Sequence, residues 1–264
     1  MTLSQPGPWV DHERMEDAPW STQAGIVKFI EFPVRKAAMS RRAFHLYWQR
    51  HHSPHVMSTS GFSQFMRKYV TGHVYVRGEP ELPAALTPVP RFEGVGQVWL
   101  NSLDDATAWL GHPAYSELIA PDEANFIDPE GGGEVLVTRE HRLYDPEPDL
   151  VESGMTKLHV MTRRAAGLSR SDFAPAASSY AAGLLRQASL VRRLRRLVVS
   201  HRLADPYPDW LPPTDIDAVV ELWFDDGDQL AGFLADPAYR DEMAFERAGI
   251  FEVSALRAIV TRLN

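Results

Sequence analysis

The sequence predicts an α+β fold in which two βαββαβ modules of one chain place their antiparallel sheets face to face, as an intrachain α/β barrel. Strand and helix signals follow one another in the order βαββαβ, and the same order returns in the second half of the chain. Residues 25–144 make the first module and residues 155–264 make the second. An N-terminal arm, residues 1–24, precedes them, and a linker rich in proline and acidic residues, 145–154, joins them.

The first module opens with a β-rich run at residues 25–32 and continues into a helix whose predicted N-cap is Ser40. Residues 44–55 of this helix, FHLYWQRHHSPH, contain four of the ten histidines. Aromatic residues and histidines recur there at three- and four-residue spacing and therefore share one helix face. Pro54 is expected to end or bend the helix, and the shared face is expected to be either core or pocket wall.

Two strands, a broken helix and a last strand complete the first module. The strands are predicted at residues 69–76 and 95–100, where β-branched and aromatic residues are frequent. A helical stretch then runs from residue 103 to residue 125 and is expected to break before Pro113. The final strand is predicted at residues 134–143. This order gives a four-stranded antiparallel sheet with both helices on one face.

The second module repeats the first in its residues as well as in its element order. Lys157 follows Lys28 by 129 residues, and Trp223 follows Trp99 by 124 residues. The triplet Pro-Ala-Tyr at 113–115 returns at 237–239. Offsets shared by helices and strands indicate an internal duplication, whose two sheets can cover each other.

The strand phases place polar residues on otherwise apolar sheet faces, so we expect a small-molecule pocket in a partly hollow space between the two sheets. The residues expected to line it are Tyr69, His73, Tyr75, Gln97, Trp99, His201, Glu221 and Trp223. Trp48, from the histidine-rich helix, is expected to contribute to the same pocket. A strand histidine in such a place would be partly desolvated, which opens its pKa to tuning.

Composition excludes several classes of function. The net charge of −8 argues against binding nucleic acid through phosphate neutralisation. The chain has no cysteine, so disulfides, thiolate nucleophiles and zinc–thiolate sites are excluded. No apolar run reaches the roughly 20 residues of a membrane helix, and the first residues do not resemble a secretory signal. We therefore expect a cytoplasmic protein with no membrane partner. His51 and His55 have the spacing of a helical metal site, but Pro54 intervenes and no third ligand is evident, so no metal is expected.

The residues of the first module resemble the EthD domain family of the dimeric α/β-barrel, ferredoxin-like superfamily. The resemblance rests on the following residues: Lys28-Phe29, Phe44, Tyr47-Trp48, His52-Ser53-Pro54, Gly94-Val95, Val98-Trp99, Asp122-Glu123 and Phe126-Ile127-Asp128. The second module is similar to the superfamily more loosely and is degenerate, because it has Ala181 where the first module has His52.

The resemblance implies catalysis without cofactor or metal, with proton transfer by histidine and tyrosine. The expected catalytic residues are His52, His73 and Tyr69, and the expected substrate-binding residues are Trp48, Tyr75, Gln97, Trp99, His201, Glu221 and Trp223. The leading hypothesis is a cofactor-independent lyase or cyclase that dehydrates, decarboxylates or cyclises a small aromatic or polyketide-like substrate. Two alternatives stay open: a cofactor-free monooxygenase, and a non-catalytic accessory protein that binds a small molecule. A homodimer is one possibility for the assembly.

Overall fold

The computed structural model describes residues 25–75, 78, 80–147, 149–203 and 208–264. The predicted N-terminal arm lies outside the described residues. The strands are β1 (Val27–Phe32), β2 (Met66–Val74), β3 (Thr87–Pro88), β4 (Gly94–Leu100), β5 (Glu134–Tyr144), β6 (Thr156–Thr162), β7 (Arg196–Arg202), β8 (Ala218–Phe224) and β9 (Arg257–Leu263). The α-helices are α1 (Arg41–Tyr47), α2 (Ser53–Ser58), α3 (Leu103–Leu110), α4 (Ala120–Glu123), α5 (Arg170–Leu184), α6 (Ala188–Val191) and α7 (Gly227–Ala235). Three π-helical turns cover Trp48–His52, Tyr115–Ile119 and Ala238–Met243, and short 3₁₀ turns cover Ser63–Phe65, Phe245–Arg247 and Val253–Ala255.

Eight of these strands close into a barrel. Their order around it is β2-β4-β1-β5-β7-β8-β6-β9, and β9 pairs back with β2 through residues such as Gly72 opposite Leu263. The eight strands pair antiparallel, whereas β3 adds a short parallel pair to β9. The predicted intrachain α/β barrel is therefore confirmed. Closure leaves no free edge among the eight strands, which protects the sheet from pairing with other chains.

The two halves of the barrel have the same internal register. In the first half Lys28 of β1 lies opposite Trp99 of β4, and in the second half Lys157 of β6 lies opposite Trp223 of β8. The strand order β2-β4-β1-β5 is repeated by β7-β8-β6-β9. The residue offsets found in the sequence are thus offsets between equivalent positions of two similar sheets.

Buried side chains of the described residues occupy the barrel interior, in contrast to the partly hollow space that was expected. Apolar clusters close each end, one with Ile30, Phe32, Val95, Met161 and Val219, the other with Met155, Val198, Trp223 and Leu263. Between them lies a buried polar layer centred on Glu221. Its carboxylate oxygens are 2.5 Å from the ammonium groups of Lys28 and Lys157. Charges removed from water need such pairing, so this layer can be buried without leaving isolated ions.

Helices cover the outer face of the barrel in both halves. In the first half α3 places Trp109 against Phe29 of β1, with ring centroids 5.3 Å apart. In the second half α5 and α7 bury Phe173, Ala181 and Phe233 against an apolar strand surface. No helix in the described part of the chain has the length and apolar content needed to cross a membrane.

Candidate functional site

A cavity of about 340 Å³ lies between the outer face of the first-half strands and their helices. This volume falls in the lower part of the range for small-molecule sites, about 300–1,000 Å³. Its wall is largely apolar, with aromatic side chains from Phe29, Phe62 and Trp109. The polar and ionisable groups on the wall are those of Glu31, His52, Tyr69, Tyr115, Glu123, Asp128 and Glu134. The cavity is thus an aromatic chamber with a few converging polar groups.

His52 is held in this wall by an acidic partner. Its Nδ1 is 2.8 Å from Oδ2 of Asp122, and the Tyr47 hydroxyl donates to Oδ1 of the same carboxylate at 2.6 Å. Burial would raise the pKa of Asp122, but these hydrogen bonds outweigh burial and lower it. An ionised Asp122 keeps the proton on Nδ1, so Nε2 is the ring nitrogen that remains to accept a proton. Burial lowers the pKa of His52, which favours the neutral base.

The histidine-rich helix places His52 through an irregular turn. Ser40 caps α1 as predicted, with its Oγ accepting from the Ala43 amide at 3.2 Å. The helix does not end at Pro54, because it continues to Ser58 as α2. The π-helical turn Trp48–His52 ends two residues before this proline, which has no N–H for a regular helical bond. The wider turn changes the direction in which His52 projects from the helix.

Tyr69 of β2 is fixed by Trp48. The indole Nε1 of Trp48 donates to the Tyr69 hydroxyl at 2.9 Å, and the Ser53 hydroxyl lies 3.4 Å from the same oxygen. With its oxygen accepting these bonds, Tyr69 has its own proton left to donate into the cavity. Burial raises the pKa of Tyr69, so the phenol stays protonated at neutral pH. Trp48 itself is fully buried and supports Tyr69 without lining the cavity.

Two carboxyl groups of the cavity have strongly raised pKa values. Burial and the nearby Glu123 raise the pKa of Glu31 to about 8. Burial raises the pKa of Glu123 to about 7, although a hydrogen bond from the Tyr115 hydroxyl at 3.1 Å opposes this rise. At neutral pH the cavity therefore holds at least one neutral carboxylic acid. Raised carboxyl pKa values in a concave site are typical of catalytic groups.

The structure divides the residues expected to form one pocket among several places. Gln97, Trp99, Glu221 and Trp223 point into the barrel, so the prediction that they share a pocket with Tyr69 is wrong. Their strand phase was predicted correctly, since Gln97 and Trp99 share a face. That face meets the other sheet, whereas the cavity is on the opposite face.

His73 lies on the outer face of β2 and not in the barrel interior. Its ring packs edge-on against Trp48 and His45, with centroids 5.1 Å and 4.6 Å away. Burial, and secondarily His45, lowers the pKa of His73 to about 3. His73 does not belong to the wall of the cavity. The structure therefore brings His52 and Tyr69 together and leaves His73 behind Trp48.

Tyr75 and His201 also lie away from the cavity. The Tyr75 hydroxyl is hydrogen-bonded to the Thr156 hydroxyl, near the place where β2 and β9 pair and close the barrel. His201 of β7 lies under α5, where its Nε2 is 2.9 Å from Oγ of Ser178, and His141 contacts the same oxygen at 2.7 Å. Neither residue is positioned to touch a molecule bound beside His52.

Sequence reasoning missed Glu31 and did not select Asp122 or Glu123 for the site. Asp122 and Glu123 were part of the family resemblance, but the separation of 70 residues between His52 and Asp122 hid their contact. For Glu31, a comparison of equivalent positions in the two halves contained a signal. The equivalent position of the second half is Val160, which is buried in an apolar cluster. A carboxyl group in place of a buried valine marks a position with a role beyond packing.

In the described residues of the second half, apolar side chains replace the polar groups of this site. Ala181, Val160 and Leu197 stand where the first half has His52, Glu31 and Tyr69, and all three are fully buried in one apolar cluster. The same fold thus forms without the polar groups. Within the described residues, no group of three or more potential metal ligands is present.

Comparisons with known proteins support the fold and the family resemblance. Residues 36–130 match the family model described as EthD domain, and no curated protein matches the chain with significant similarity. The fold is similar to an anthrone oxidase-like protein, with 10% identity, a TM-score of 0.54, and 92% of this chain and 93% of that chain covered. It is also similar to a presumed monooxygenase from Fusobacterium nucleatum subsp. nucleatum, with 8% identity, a TM-score of 0.52, and 91% and 92% covered. An EthD-like protein from Ralstonia eutropha covers 48% of this chain and 98% of its own, with 16% identity and a TM-score of 0.33.

Proposed function

We propose, for a chain whose residues 36–130 carry an EthD domain, a cofactor-independent enzyme in which His52 removes a proton from a small aromatic substrate. The observation that carries the proposal is the hydrogen bond that Nδ1 of His52 donates to Asp122 at the wall of an aromatic cavity. This arrangement fixes the imidazole and stabilises the imidazolium that forms when Nε2 takes a proton.

Tyr69 is the second catalytic group of the proposal. Removal of a proton from a carbon next to a carbonyl group, or from a phenol, leaves negative charge on oxygen. A fixed phenol O–H in a site that excludes water stabilises such charge well. Tyr69 meets this need because Trp48 and Ser53 fix its oxygen while leaving its proton available.

Two fates of the activated substrate are compatible with this site. In the lyase or cyclase hypothesis, the carbanion expels a leaving group or attacks a second carbonyl of the same molecule. In the oxygenase hypothesis, it reacts with molecular oxygen. For an anthrone, one oxygen atom then becomes the new carbonyl and the other leaves as water with the two methylene hydrogens. The likeness to an anthrone oxidase-like protein favours testing the oxygenase with that ketone.

The test uses anthrone as the probe in deuterated buffer without oxygen. The wild-type protein is expected to exchange the methylene protons of anthrone for deuterium, and His52→Ala is expected to lose the exchange by about 10²- to 10⁴-fold. His51→Ala is the matched control, because His51 is exposed on the same turn and lies outside the cavity wall. Exchange that survives in His52→Ala overturns the assignment. Oxygen consumption in air then separates the oxygenase from the lyase or cyclase, and binding without exchange would indicate the accessory protein.

A further inference from the structure

The Glu31 carboxyl group occupies space that is open because residue 96 is a glycine. It lies opposite Gly96 in the β1–β4 ladder, and a Cβ atom at position 96 would overlap the Glu31 carboxyl group. In the second half, the equivalent ladder position pairs Val160 with Val220. The first half thus has a carboxyl group and a glycine where the second half has two buried valines. Because the second half folds with the valines, the pair Glu31 and Gly96 is not a requirement of the fold.

The charges around the cavity indicate what Glu31 can bind. Acidic side chains on the wall come from Glu31, Glu123, Asp128 and Glu134, and the described lining residues include no lysine or arginine. A carboxylate or phosphate on a bound molecule would therefore find no cationic side chain to pair with among these residues. An uncharged ketone or phenol would instead meet hydrogen-bond donors.

We propose that Glu31 is a catalytic acid that donates its proton to the carbonyl oxygen of an uncharged aromatic ketone while His52 takes a proton from the neighbouring carbon. This inference rests on the proposed function of His52. The C–H bond breaks and its electron pair forms the new C=C bond, while the carbonyl π electrons take the proton of Glu31. The products are the enol, an imidazolium at His52 and a carboxylate at Glu31, so charge and protons balance. The return of both protons by the reverse path restores the protein.

The surroundings of Glu31 suit this role. Burial and Glu123 keep Glu31 protonated at neutral pH, which an acid must be before it can donate. The base of the same step is His52, and Asp122 stabilises the imidazolium that forms on it. A neutral acid and a neutral base in one apolar cavity can act together, because the charge separation of the product is supported at both ends.

The test measures the carbonyl of bound 1-tetralone, an uncharged bicyclic ketone, by infrared difference spectroscopy. In the wild-type protein at pH 6, the carbonyl stretch is expected at a lower frequency than in apolar solvent, since a strong donor contacts the oxygen. The shift should weaken as the pH rises above about 8, the pKa of Glu31. Glu31→Val, which copies the second half, should lose the part of the shift that depends on pH and keep only the smaller part that Tyr69 supplies, and Glu31→Gln should keep an intermediate shift that no longer depends on pH. Glu117→Gln, an exposed residue outside the cavity, should behave as the wild type.

A second arm tests the substrate class. The anion 1-naphthoate has a similar size and should bind at least about tenfold more weakly than 1-tetralone at pH 7, because its carboxylate would be buried without a cationic partner among the described lining residues. An unchanged carbonyl shift in Glu31→Val, tight binding of 1-naphthoate, or failure of the wild type to bind 1-tetralone would each overturn the inference. Deuterium exchange separates this result from the proposed function. A carbonyl shift without deuterium exchange supports the role of Glu31 and rejects the role of His52. Deuterium exchange without a carbonyl shift supports the role of His52 and rejects the role of Glu31.

Discussion

Lys28 and Lys157 lie 129 residues apart in sequence and meet on the two oxygens of one carboxylate, Glu221, inside the barrel. They are equivalent residues of the two halves, but their surroundings differ. Lys28 has a second carboxylate 2.8 Å away in Glu140, and its pKa is raised. Lys157 has the amide of Gln97 at 2.6 Å, and burial lowers its pKa to about 7. Gln97 and Glu221 occupy equivalent strand positions. Both halves therefore have the lysine, but only the second half has a carboxylate at the position that faces it.

The first prediction follows from this central carboxylate. Glu221→Gln should lower the free energy of unfolding by about 3–5 kcal/mol, because it leaves the buried Lys157 facing two amides and leaves Lys28 with Glu140 as its one carboxylate partner. Urea denaturation followed by circular dichroism measures the change. Glu117→Gln, which removes an exposed carboxylate, should change stability by less than about 0.5 kcal/mol. A loss in Glu221→Gln no larger than in this control would show that the buried ion pairs do not hold the two halves together.

The sequence predicted the barrel because the relevant signals are repeated and local. Offsets such as Lys28 to Lys157 recur at fixed strand positions, and one open sheet face per module requires a partner. The location of the cavity could not be obtained in the same way. Both faces of these strands are buried, so alternation groups Tyr69 with His73 and Gln97 with Trp99 without showing which face of the sheet each group occupies.

The candidate site was predicted only in part for a similar physical reason. His52 stood out as a residue lost from the second half, and Tyr69 as a polar residue in an apolar strand. Asp122 could not be joined to His52, because their contact depends on how two helices cross and not on any local pattern. His73 resembled Tyr69 in strand phase, yet Trp48 covers it.

The second prediction concerns Asp122, the hydrogen-bond partner of His52. Asp122→Asn should reduce deuterium exchange of anthrone by about 10²- to 10⁴-fold, because an amide does not hold the proton on Nδ1 and does not stabilise the imidazolium. Tyr47→Phe removes only one hydrogen bond from Asp122 and should cost much less, roughly tenfold or below. Exchange and unfolding are measured on the same preparations. Full activity in Asp122→Asn would mean that His52 acts without an orienting carboxylate.

The third prediction tests the space above Gly96. Gly96→Val alone should destabilise the protein by about 1–3 kcal/mol, because the new side chain collides with Glu31. Glu31→Val combined with Gly96→Val recreates the pair found at Val160 and Val220 and should recover much of this loss. A double-mutant cycle in urea measures the coupling. Additive effects would show that the two positions do not share the space.

The fourth prediction concerns His73, whose ring nitrogens are buried and have no hydrogen-bond partner among the described residues. Its pKa falls from 6.5 to about 3 in the folded protein. Between these values the unfolded state binds more protons than the folded state, so the contribution of His73 to stability is lost as the pH falls. His73→Leu should therefore unfold less readily in acid, with its advantage over the wild type growing between pH 6.5 and pH 4. Thermal unfolding at a series of pH values measures this, and an advantage that does not depend on pH would contradict it.

The fifth prediction uses Glu31 as a titrating group in the absence of any ligand. In the unfolded chain this carboxyl releases its proton near pH 4.5, and in the folded protein near pH 8. Between these values the folded state binds more protons, so the free energy of unfolding falls as the pH rises across this window. Glu31→Gln removes this dependence.

Relative to the wild type, Glu31→Gln should therefore gain on the order of 1–3 kcal/mol in stability between pH 4.5 and pH 8.5, a range that allows for partial solvation of the carboxyl group. Urea denaturation at the two pH values measures the gain, and Glu117→Gln again serves as the exposed control. A difference that stays constant with pH would show that Glu31 ionises at its ordinary pKa. It would then be a carboxylate at neutral pH and could not supply the proton that the enol requires.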